Sequence, residues 1–325
     1  MILAGDIGGT KTNLALFSFN DGTLEVQKKH QFPSQDFASL EDVIKEFLNL
    51  TKAKNITKAC FGIAGPIING NCYTTNLPWD ISSSNLQKLL SIQEVILLND
   101  LEATAYGMLH LKEDEFISLN PTGRTVDGNR AVIAAGTGLG EAILFHDGKK
   151  YHPIASEGGH CDFASSSDEQ DELLRWMRKR YHSHVSMERI LSGPGIYTLY
   201  EFLVDNDFAP QPTTMIQLNK TEDKSAMISK LALENKNPLC VKTLELFCEI
   251  YAAEAGNLAL KSMSLGGVYI GGGIAPKILP FLTSGKFLNH FVNKGRFEEL
   301  LRGMEVKISL NDETALLGAA YFIIN

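Results

Sequence analysis

The sequence lacks any apolar run that approaches the roughly 18 residues needed to cross a bilayer, and it has no long block of lysine or arginine. Its first residues, MILAGDIGG, lack the basic segment and the long apolar segment of a signal peptide. Thirty basic residues against thirty-eight acidic ones give a net charge of −8. We therefore expect a cytoplasmic protein that binds neither membranes nor nucleic acid.

The chain also lacks the common cysteine motifs and the common nucleotide-binding motifs. The five cysteines are odd in number and none forms a C-x-x-C pair, which argues against a disulfide framework or a zinc knuckle and predicts buried, reduced thiols. No G-x-x-x-x-G-K-[ST] occurs, so the chain has no P-loop. The G-x-G-x-G of residues 136–140 lies in a hairpin pattern, which disfavours a dinucleotide-binding dehydrogenase.

What is present is a globular composition, with 44% hydrophobic and 21% charged residues in a chain of 325. This length favours two domains. A strand, glycine turn, strand pattern over residues 2–19 recurs over residues 131–145, and each copy ends in an Asp-Gly turn. A single duplication at this spacing predicts two related α/β domains with a ligand between them, which we place at residues 1–110 plus 301–325 and at residues 111–300.

Helical spacing of apolar residues predicts where the helices lie. We expect one over residues 40–48 with Ser39 as its N-cap, and others over 168–182, 196–204, 224–234, 239–263, 274–282 and 312–323. The short apolar run 95–98 is of strand length and leads into a helix-forming segment at Leu101. Asn99 and Asp100 should therefore lie at the carboxyl end of a strand, where open α/β sheets bind ligands.

Three glycine turns follow predicted strands, at Gly8-Gly9-Thr10, Gly136-Thr137-Gly138 and Gly271-Gly272-Gly273. Without a Cβ, such turns let backbone N–H groups approach a phosphate closely. Each turn taken alone is also explained by hairpin geometry. Three together favour a site for a phosphorylated ligand.

Polar side chains beside these turns are candidates for chemistry. Asp6 could hold a hydrated Mg²⁺ against phosphate oxygens. The alternative is that it is an aspartate that only caps the turn. Lys11 could neutralise phosphate charge or could be a solvated hairpin lysine. Asp100 could accept a hydroxyl proton during phosphoryl transfer, the alternative being a helix N-cap.

A second group suits a neutral, hydroxyl-rich ligand. Glu157 and His160 flank Gly-Gly and could clasp vicinal hydroxyls, the alternative for His160 being a buried structural histidine. Glu188 precedes the rigid turn Leu191-Ser-Gly-Pro-Gly195, although most such glutamates lie on a helix surface. His182 and His184 read as helix-end residues, and no third ligand at suitable spacing makes them a metal site.

Together these segments resemble the bacterial glucokinases. The resemblance spans nearly the whole chain and is carried by Asp6-Ile-Gly-Gly-Thr10, Asn99-Asp100, Gly136-Thr-Gly-Leu-Gly140, Ser156-Glu-Gly-Gly-His160, Leu191-Ser-Gly-Pro-Gly195 and Gly271-Gly-Gly-Ile274. It implies an α/β fold of two ribonuclease-H-like lobes, the actin-like ATPase fold, with the active site in a cleft that closes between the lobes. It also implies a cytoplasmic homodimer that acts in glycolysis.

The resemblance further implies ATP- and Mg²⁺-dependent phosphorylation of glucose at its 6-hydroxyl. Asp100 would be the base. The sugar would be bound by Asn99, Glu157, His160 and Glu188, with Asn76 as a further contact. The first two glycine turns would bind the phosphates and Gly271, Gly272 and Gly273 the adenosine side. Lys11 departs from the family, in which several members have Asn.

Three alternatives stay open. The acceptor could be another hexose, such as mannose, or an amino sugar. A sugar-responsive regulator on the same fold would need a DNA-binding helix-turn-helix ahead of Asp6. An actin-like ATPase would not need the sugar-type cluster of Asn99, Asp100, Glu157 and His160. The related repressor and kinase family has a cysteine-rich zinc motif after its Glu-x-Gly-His, where this chain has only Cys161, so we expect no zinc.

Overall fold

The computed structural model describes residues 1–74, 77–121, 126–219 and 221–324. The chain divides into two compact units, of which unit one contains residues 1–115, 142–155 and 311–325 and unit two contains residues 116–141 and 156–310. Within the described ranges, no helix is long and apolar enough to span a membrane.

Runs of strands and runs of helices follow one another along the chain. The strands are β1 Ile2–Ile7, β2 Lys11–Asn20, β3 Thr23–Pro33, β4 Lys58–Ile63, β5 Ile67–Ile68, β6 Asn71–Tyr73, β7 Asp80–Ser82, β8 Glu94–Asn99, β9 Phe116–Ser118, β10 Arg130–Ala135, β11 Leu139–His146, β12 Tyr151–Ser156, β13 Val268–Gly271 and β14 Val306–Ser309. The helices are α1 Leu40–Thr51, α2 Ser83–Leu90, α3 Asp100–Met108, α4 Asp168–Tyr181, α5 Gly193–Asp205, α6 Thr213–Ile216, α7 Lys224–Leu233, α8 Pro238–Ser262, α9 Leu279–Leu282, α10 Lys286–Val292, α11 Glu298–Arg302 and α12 Thr314–Phe322.

The sheet of unit one has the order β3-β2-β1-β4-β8. Its first three strands form an antiparallel meander, whereas β1, β4 and β8 run parallel. The register aligns Ile7 with Ile63 and Ile63 with Asn99. Because parallel strands end at the same edge, the residues that follow β1 and β8 share one side of this sheet.

Helices α3 and α12 pack together at two glycines on one face of this sheet. A Cβ added at Gly318 would lie 1.8 Å from the carbonyl oxygen of Ala103, and one added at Gly107 would lie 2.0 Å from that of Thr314. The two backbones are therefore in contact, with Leu316 and Ala319 buried against the sheet core. This packing confirms that the apolar C-terminal segment is a docked helix.

The second sheet has the order β12-β11-β10-β13-β14-β9, in which β10, β13 and β14 are parallel. Helix α8 packs against it through the fully buried Tyr251. The Tyr251 hydroxyl accepts a hydrogen bond from the Ala135 N–H and donates to the Ile133 carbonyl, both at 3.2 Å. The helix is thus fixed to the strand that leads into the second glycine turn.

Most predicted helices are confirmed, and α1 begins after Ser39, whose hydroxyl accepts from the Asp42 N–H at 3.2 Å. The prediction of one helix over 274–282 is wrong, because the segment forms a 3₁₀ turn followed by the single-turn α9. Pro280 has no N–H to donate, and its ring clashes with the carbonyl four residues back, so the α-helix cannot run through it. Helix α5 begins earlier than predicted, at Gly193, because Ser192 caps the Gly195 N–H.

Candidate active site

The first glycine turn connects β1 to β2 in unit one, with Asp6 one residue before the end of β1. The Gly8 N–H donates to the Lys11 carbonyl at 2.9 Å and closes the turn. Asn13, opposite Asp6 in the register, donates to Asp6 Oδ2 at 3.2 Å. Burial raises the pKa of Asp6, and the hydrogen bond from Asn13 partly opposes this effect. A carboxylate in this setting gains from a nearby cation.

Two hydroxyl groups that the sequence did not indicate support this turn from below. Ser34 Oγ donates to the Gly8 carbonyl at 2.7 Å and contacts Thr12 Oγ1 at 2.9 Å, and both side chains are fully buried. The Ser34 N–H also donates to the Thr10 carbonyl. The side chains of Thr10 and Lys11 are exposed. The turn is therefore held rigidly while its outer side faces solvent.

Asn99 and Asp100 lie where β8 passes into α3. Asn99 is the N-cap: its Oδ1 accepts from the Leu101 N–H at 2.8 Å, and Glu102 accepts from the Asn99 N–H at 2.9 Å, which completes a capping box. The Asn99 amide also donates to the Gly65 carbonyl at 3.1 Å. The alternative interpretation of Asp100 as the N-cap is therefore wrong, because Asn99 fills that role and Asp100 is the first helical residue.

Asp6 and Asp100 lie at the same edge of the first sheet. Strand β4 separates β1 from β8, and two strand spacings place the ends of these strands about 10 Å apart. At Gly62, between them, an added Cβ would meet the Ala103 Cβ at 2.8 Å, so α3 starts close against β4. The sheet thus presents one carboxylate beside the first glycine turn and another at a helix N-terminus.

In unit two, the second and third glycine turns follow neighbouring parallel strands, with Ala134 of β10 aligned with Gly271 of β13. Gly272 has φ +80, and a Cβ there would lie 2.3 Å from the Ala135 carbonyl oxygen. Gly272 and Gly273 are exposed, and a Cβ added at Gly136 or Gly273 would meet nothing within 4 Å. Two open backbone turns therefore lie side by side at one sheet edge.

The turn that carries Glu157 and His160 packs on the start of β11. Gly158 and Gly159 are buried, and a Cβ at Gly159 would lie 2.0 Å from the Leu139 carbonyl oxygen. Glu157 and His160 are exposed on either side of them. The alternative of a buried structural histidine at position 160 is therefore wrong, because it is the two glycines that are buried.

Glu188 contacts the second glycine turn directly. Its Oε2 accepts from the Leu139 N–H at 3.0 Å and lies 2.4 Å from where a Cβ on Gly138 would be. The Gly193 N–H donates to the Gly136 carbonyl at 2.8 Å, so the Leu-Ser-Gly-Pro-Gly segment docks on the same turn. Glu188 thus lies in a 3₁₀ turn and not on a helix surface.

A short antiparallel backbone pairing in unit two joins residues 161–163 to residues 185–187. The Met187 N–H donates to the Cys161 carbonyl and the Phe163 N–H to the Val185 carbonyl, with an antiparallel bridge between Asp162 and Ser186. His184 is not a helix-end residue, since its ring nitrogens contact the His160 carbonyl and Asp162 Oδ1, each at 2.8 Å. No spacing pattern in the sequence predicts this contact. The segment that carries Glu157 and His160 therefore lies beside the segment that carries Glu188.

Two predictions concern single residues beside these segments. Cys161 is exposed, in contrast to the other four cysteines, because it follows directly after the turn. The expectation that all thiols are buried is wrong at this position. Asn76 lies outside the described residues.

In the described ranges, no three His, Cys, Asp or Glu side chains are grouped so that they could hold a metal ion by themselves.

Comparison with known proteins identifies relatives over the whole chain. The family model for glucokinase matches residues 3–325. A curated glucokinase of Nostoc punctiforme is 40% identical over 333 aligned residues, which cover 98% of each chain. The crystal structure of a glucokinase from an Antarctic psychrotroph is 33% identical, with a TM-score of 0.86 over 100% of this chain and 98% of that one.

A more distant structure extends the likeness of the fold. It is a ROK family glucokinase from Streptomyces griseus, solved in complex with glucose and AMPPNP, which has 16% identity and a TM-score of 0.67 over 99% of this chain. The predicted α/β fold of the actin-like ATPase type is confirmed. The motifs in both units, the matching family model and the full-length relatives all agree, and the chain belongs to the glucokinase family.

Proposed function

We propose that the protein transfers the γ-phosphoryl group of ATP to the 6-hydroxyl of glucose, with Asp100 as the general base. The observation that carries the role of Asp100 is its place as first helical residue after β8, with the capping of α3 already supplied by Asn99. A carboxylate at a strand end is well placed to receive the hydroxyl proton. The sugar oxygen then forms a bond to the γ-phosphorus as the bond to the β-phosphate oxygen breaks, and ADP leaves.

The glycine turns are proposed to hold the nucleotide. The Gly8 and Gly136 N–H groups close their own turns on the Lys11 and Gly138 carbonyls. The backbone N–H groups of Gly9 and Thr10 and of Thr137 and Gly138 would bind phosphate oxygens, with Lys11 adding positive charge at the exposed start of β2. Gly271, Gly272 and Gly273 would contact the adenosine side, since Gly272 and Gly273 are open to solvent.

A magnesium ion fits this site through Asp6. Burial of the Asp6 carboxyl disfavours its charged form, and a divalent cation would restore it. Magnesium binds with one or two carboxylates together with water and phosphate oxygens, so a group of three protein ligands is not required. When bound, the ion would neutralise charge on the β- and γ-phosphates.

The sugar is proposed to bind through carboxylates, amides and imidazole that match its hydroxyl groups: Asn99, Glu157, His160 and Glu188, with Asn76 as a further contact. The exposed Glu157 and His160 side chains are held at a fixed separation by the buried Gly158-Gly159 between them. Glu188 keeps one oxygen on Leu139, and a carboxylate has lone pairs for a second donor. A site of this kind rejects analogues that leave its polar groups unpaired.

The test is formation of glucose 6-phosphate by the purified protein with ATP and Mg²⁺, read through a dehydrogenase-coupled assay, with the ADP released in every reaction measured by chromatography. Parallel reactions contain mannose, N-acetylglucosamine or no sugar, and a further reaction contains EDTA. We expect turnover with glucose that EDTA abolishes. A preference for another sugar would favour the alternative hexose kinase, and ATP hydrolysis without any sugar would favour the actin-like ATPase.

The homodimer is proposed on the family resemblance alone. We expect a cytoplasmic homodimer with two domains divided near residues 110 and 300. Size-exclusion chromatography with light scattering tests the dimer, because the monomer mass is 35.7 kDa and a dimer has twice that mass. A mass of one chain at micromolar concentration would contradict it.

A further inference from the structure

A glutamate that the proposed reaction does not use packs against residues 157–160, which we call the sugar-binding turn. Glu141 is the third residue of β11 and is 2% exposed. Its Oε1 is buried and has no hydrogen-bond partner among the described residues. Buried carboxyl groups without a partner are costly, and natural proteins rarely keep one without a reason.

The second oxygen of this carboxyl group, Glu141 Oε2, lies against Gly158 in the turn. A Cβ built on Gly158 would lie 2.1 Å from Glu141 Oε2 and 2.8 Å from Glu141 Cδ, so the carboxyl group occupies the space of a side chain at position 158. On the same side, Ser156 Oγ accepts from the Gly158 N–H at 2.9 Å. The Glu141 head group therefore packs directly against the backbone between Glu157 and His160.

We propose that Glu141 is a positioning residue for the sugar-binding turn, and that its neutral form holds Glu157 and His160 in the arrangement that binds glucose. This inference rests on the proposed role of these two residues in sugar binding. Glu141 touches neither substrate in the proposal. It acts through the backbone of Gly158.

The charges around Glu141 explain why its protonation state matters. Helix α8 presents Glu254, Lys261 and Tyr251 towards it, and the turn presents the hydroxyl of Ser156. Burial, together with repulsion from the 2%-exposed Glu254, raises the pKa of Glu141 to about 7, and Lys261 opposes this only in part. Below this pH the neutral carboxyl packs against Gly158. Above it, the ionised group is repelled by Glu254 and drawn towards Lys261, which withdraws support from the turn.

The first test measures KM for glucose against pH, from 6 to 8.5, in the wild type and in Glu141→Gln, with saturating ATP. We expect the wild-type KM to rise roughly thirty-fold over this range, because with a pKa of about 7 the neutral, binding-competent fraction falls from about 0.9 at pH 6 to about 0.03 at pH 8.5. In Glu141→Gln, which cannot ionise, the rise should be lost while the KM for ATP keeps its pH profile. Groups shared by both proteins cancel in this comparison.

A second test examines the contact itself and does not depend on titration. Gly158→Ala places a methyl group against the Glu141 carboxyl and should raise KM for glucose by roughly ten-fold or more, and Glu141→Ala in that background should recover most of the loss. Thermal unfolding of each variant shows whether the fold is retained.

The outcomes separate the two proposals. The same pH dependence of KM in the wild type and Glu141→Gln, or a double variant no better than Gly158→Ala, would overturn the role of Glu141 while leaving glucose kinase activity in place. No glucose phosphorylation by the wild type at any pH would overturn the proposed function instead, and this inference with it.

Discussion

Glu188 Oε2 accepts a hydrogen bond from the backbone N–H of Leu139 at 3.0 Å, which ties a proposed sugar ligand to the second glycine turn. This turn is the proposed phosphate contact of unit two. In the proposed function, a single carboxylate therefore supports the binding sites of both substrates.

Replacing Glu188 with alanine should weaken the binding of both substrates. The variant leaves the buried Leu139 N–H unpaired, at a cost of about 1–3 kcal/mol, and frees the Gly136 to Gly138 turn. We expect KM to rise for glucose and for ATP by roughly ten-fold each in steady-state assays. Glu172→Ala, at an exposed glutamate of α4, is the matched control. A rise confined to glucose would show that the bond to Leu139 does not shape the phosphate turn.

The packing of α3 on α12 should not tolerate a methyl group at Gly318. A Cβ there would lie 1.8 Å from a backbone oxygen, which cannot move without separating the helices. We expect Gly318→Ala to destabilise the protein by about 1–3 kcal/mol or more, since overpacking a rigid contact forces backbone shifts. Thermal or urea unfolding measures this. Gly303→Ala, where the nearest atom would be 3.3 Å away, should cost far less, and equal losses would contradict the packing argument.

His110 should make the stability of unit one sensitive to mild acid. Its ring stacks on Tyr321 with a centroid distance of 3.8 Å, and its buried Nε2 has no hydrogen-bond partner within the described ranges. Burial lowers the pKa of the His110 imidazole below its ordinary value. Above pH 6.5 the His110 ring is neutral in both the folded and the unfolded states, so its titration takes nothing from the free energy of unfolding. Below 6.5 the unfolded state takes up a proton first, and stability falls.

The measurement is the free energy of unfolding in urea at pH 7.5, 6.5 and 5.5. We expect His110→Phe, which keeps an aromatic ring at the stack but does not titrate, to lose less stability than the wild type between pH 7.5 and 5.5. Parallel losses in the two proteins would assign the pH dependence to other groups.

The sequence predicted much of this architecture because the glycine turns and the strand ends have strong local signals. Asp6, Asn99 and Asp100 were placed correctly at strand ends, since short apolar runs followed by helix-forming residues mark such junctions. The break at Pro280 was missed even though the proline is visible, because the flanking apolar spacing suggests a continuous helix.

Other features depend on contacts between distant segments, which no local pattern shows. His184 reaches the His160 carbonyl across 24 positions of sequence, and Ser34 supports a turn 26 residues earlier. Glu141 had one signal that could have been used, which is a charged residue within the apolar strand Leu139–His146. A buried glutamate in such a strand needs a structural or functional reason.

The central claim, that Asp100 is the base in glucose phosphorylation, is tested most directly by Asp100→Asn in the coupled assay together with calorimetric titration of glucose. Asparagine is nearly isosteric, and α3 keeps its capping box through Asn99 and Glu102. We predict unchanged thermal unfolding, glucose affinity within a few-fold of the wild type and a kcat lower by roughly 10²–10⁴-fold. A folded Asp100→Asn protein with wild-type kcat would contradict the account.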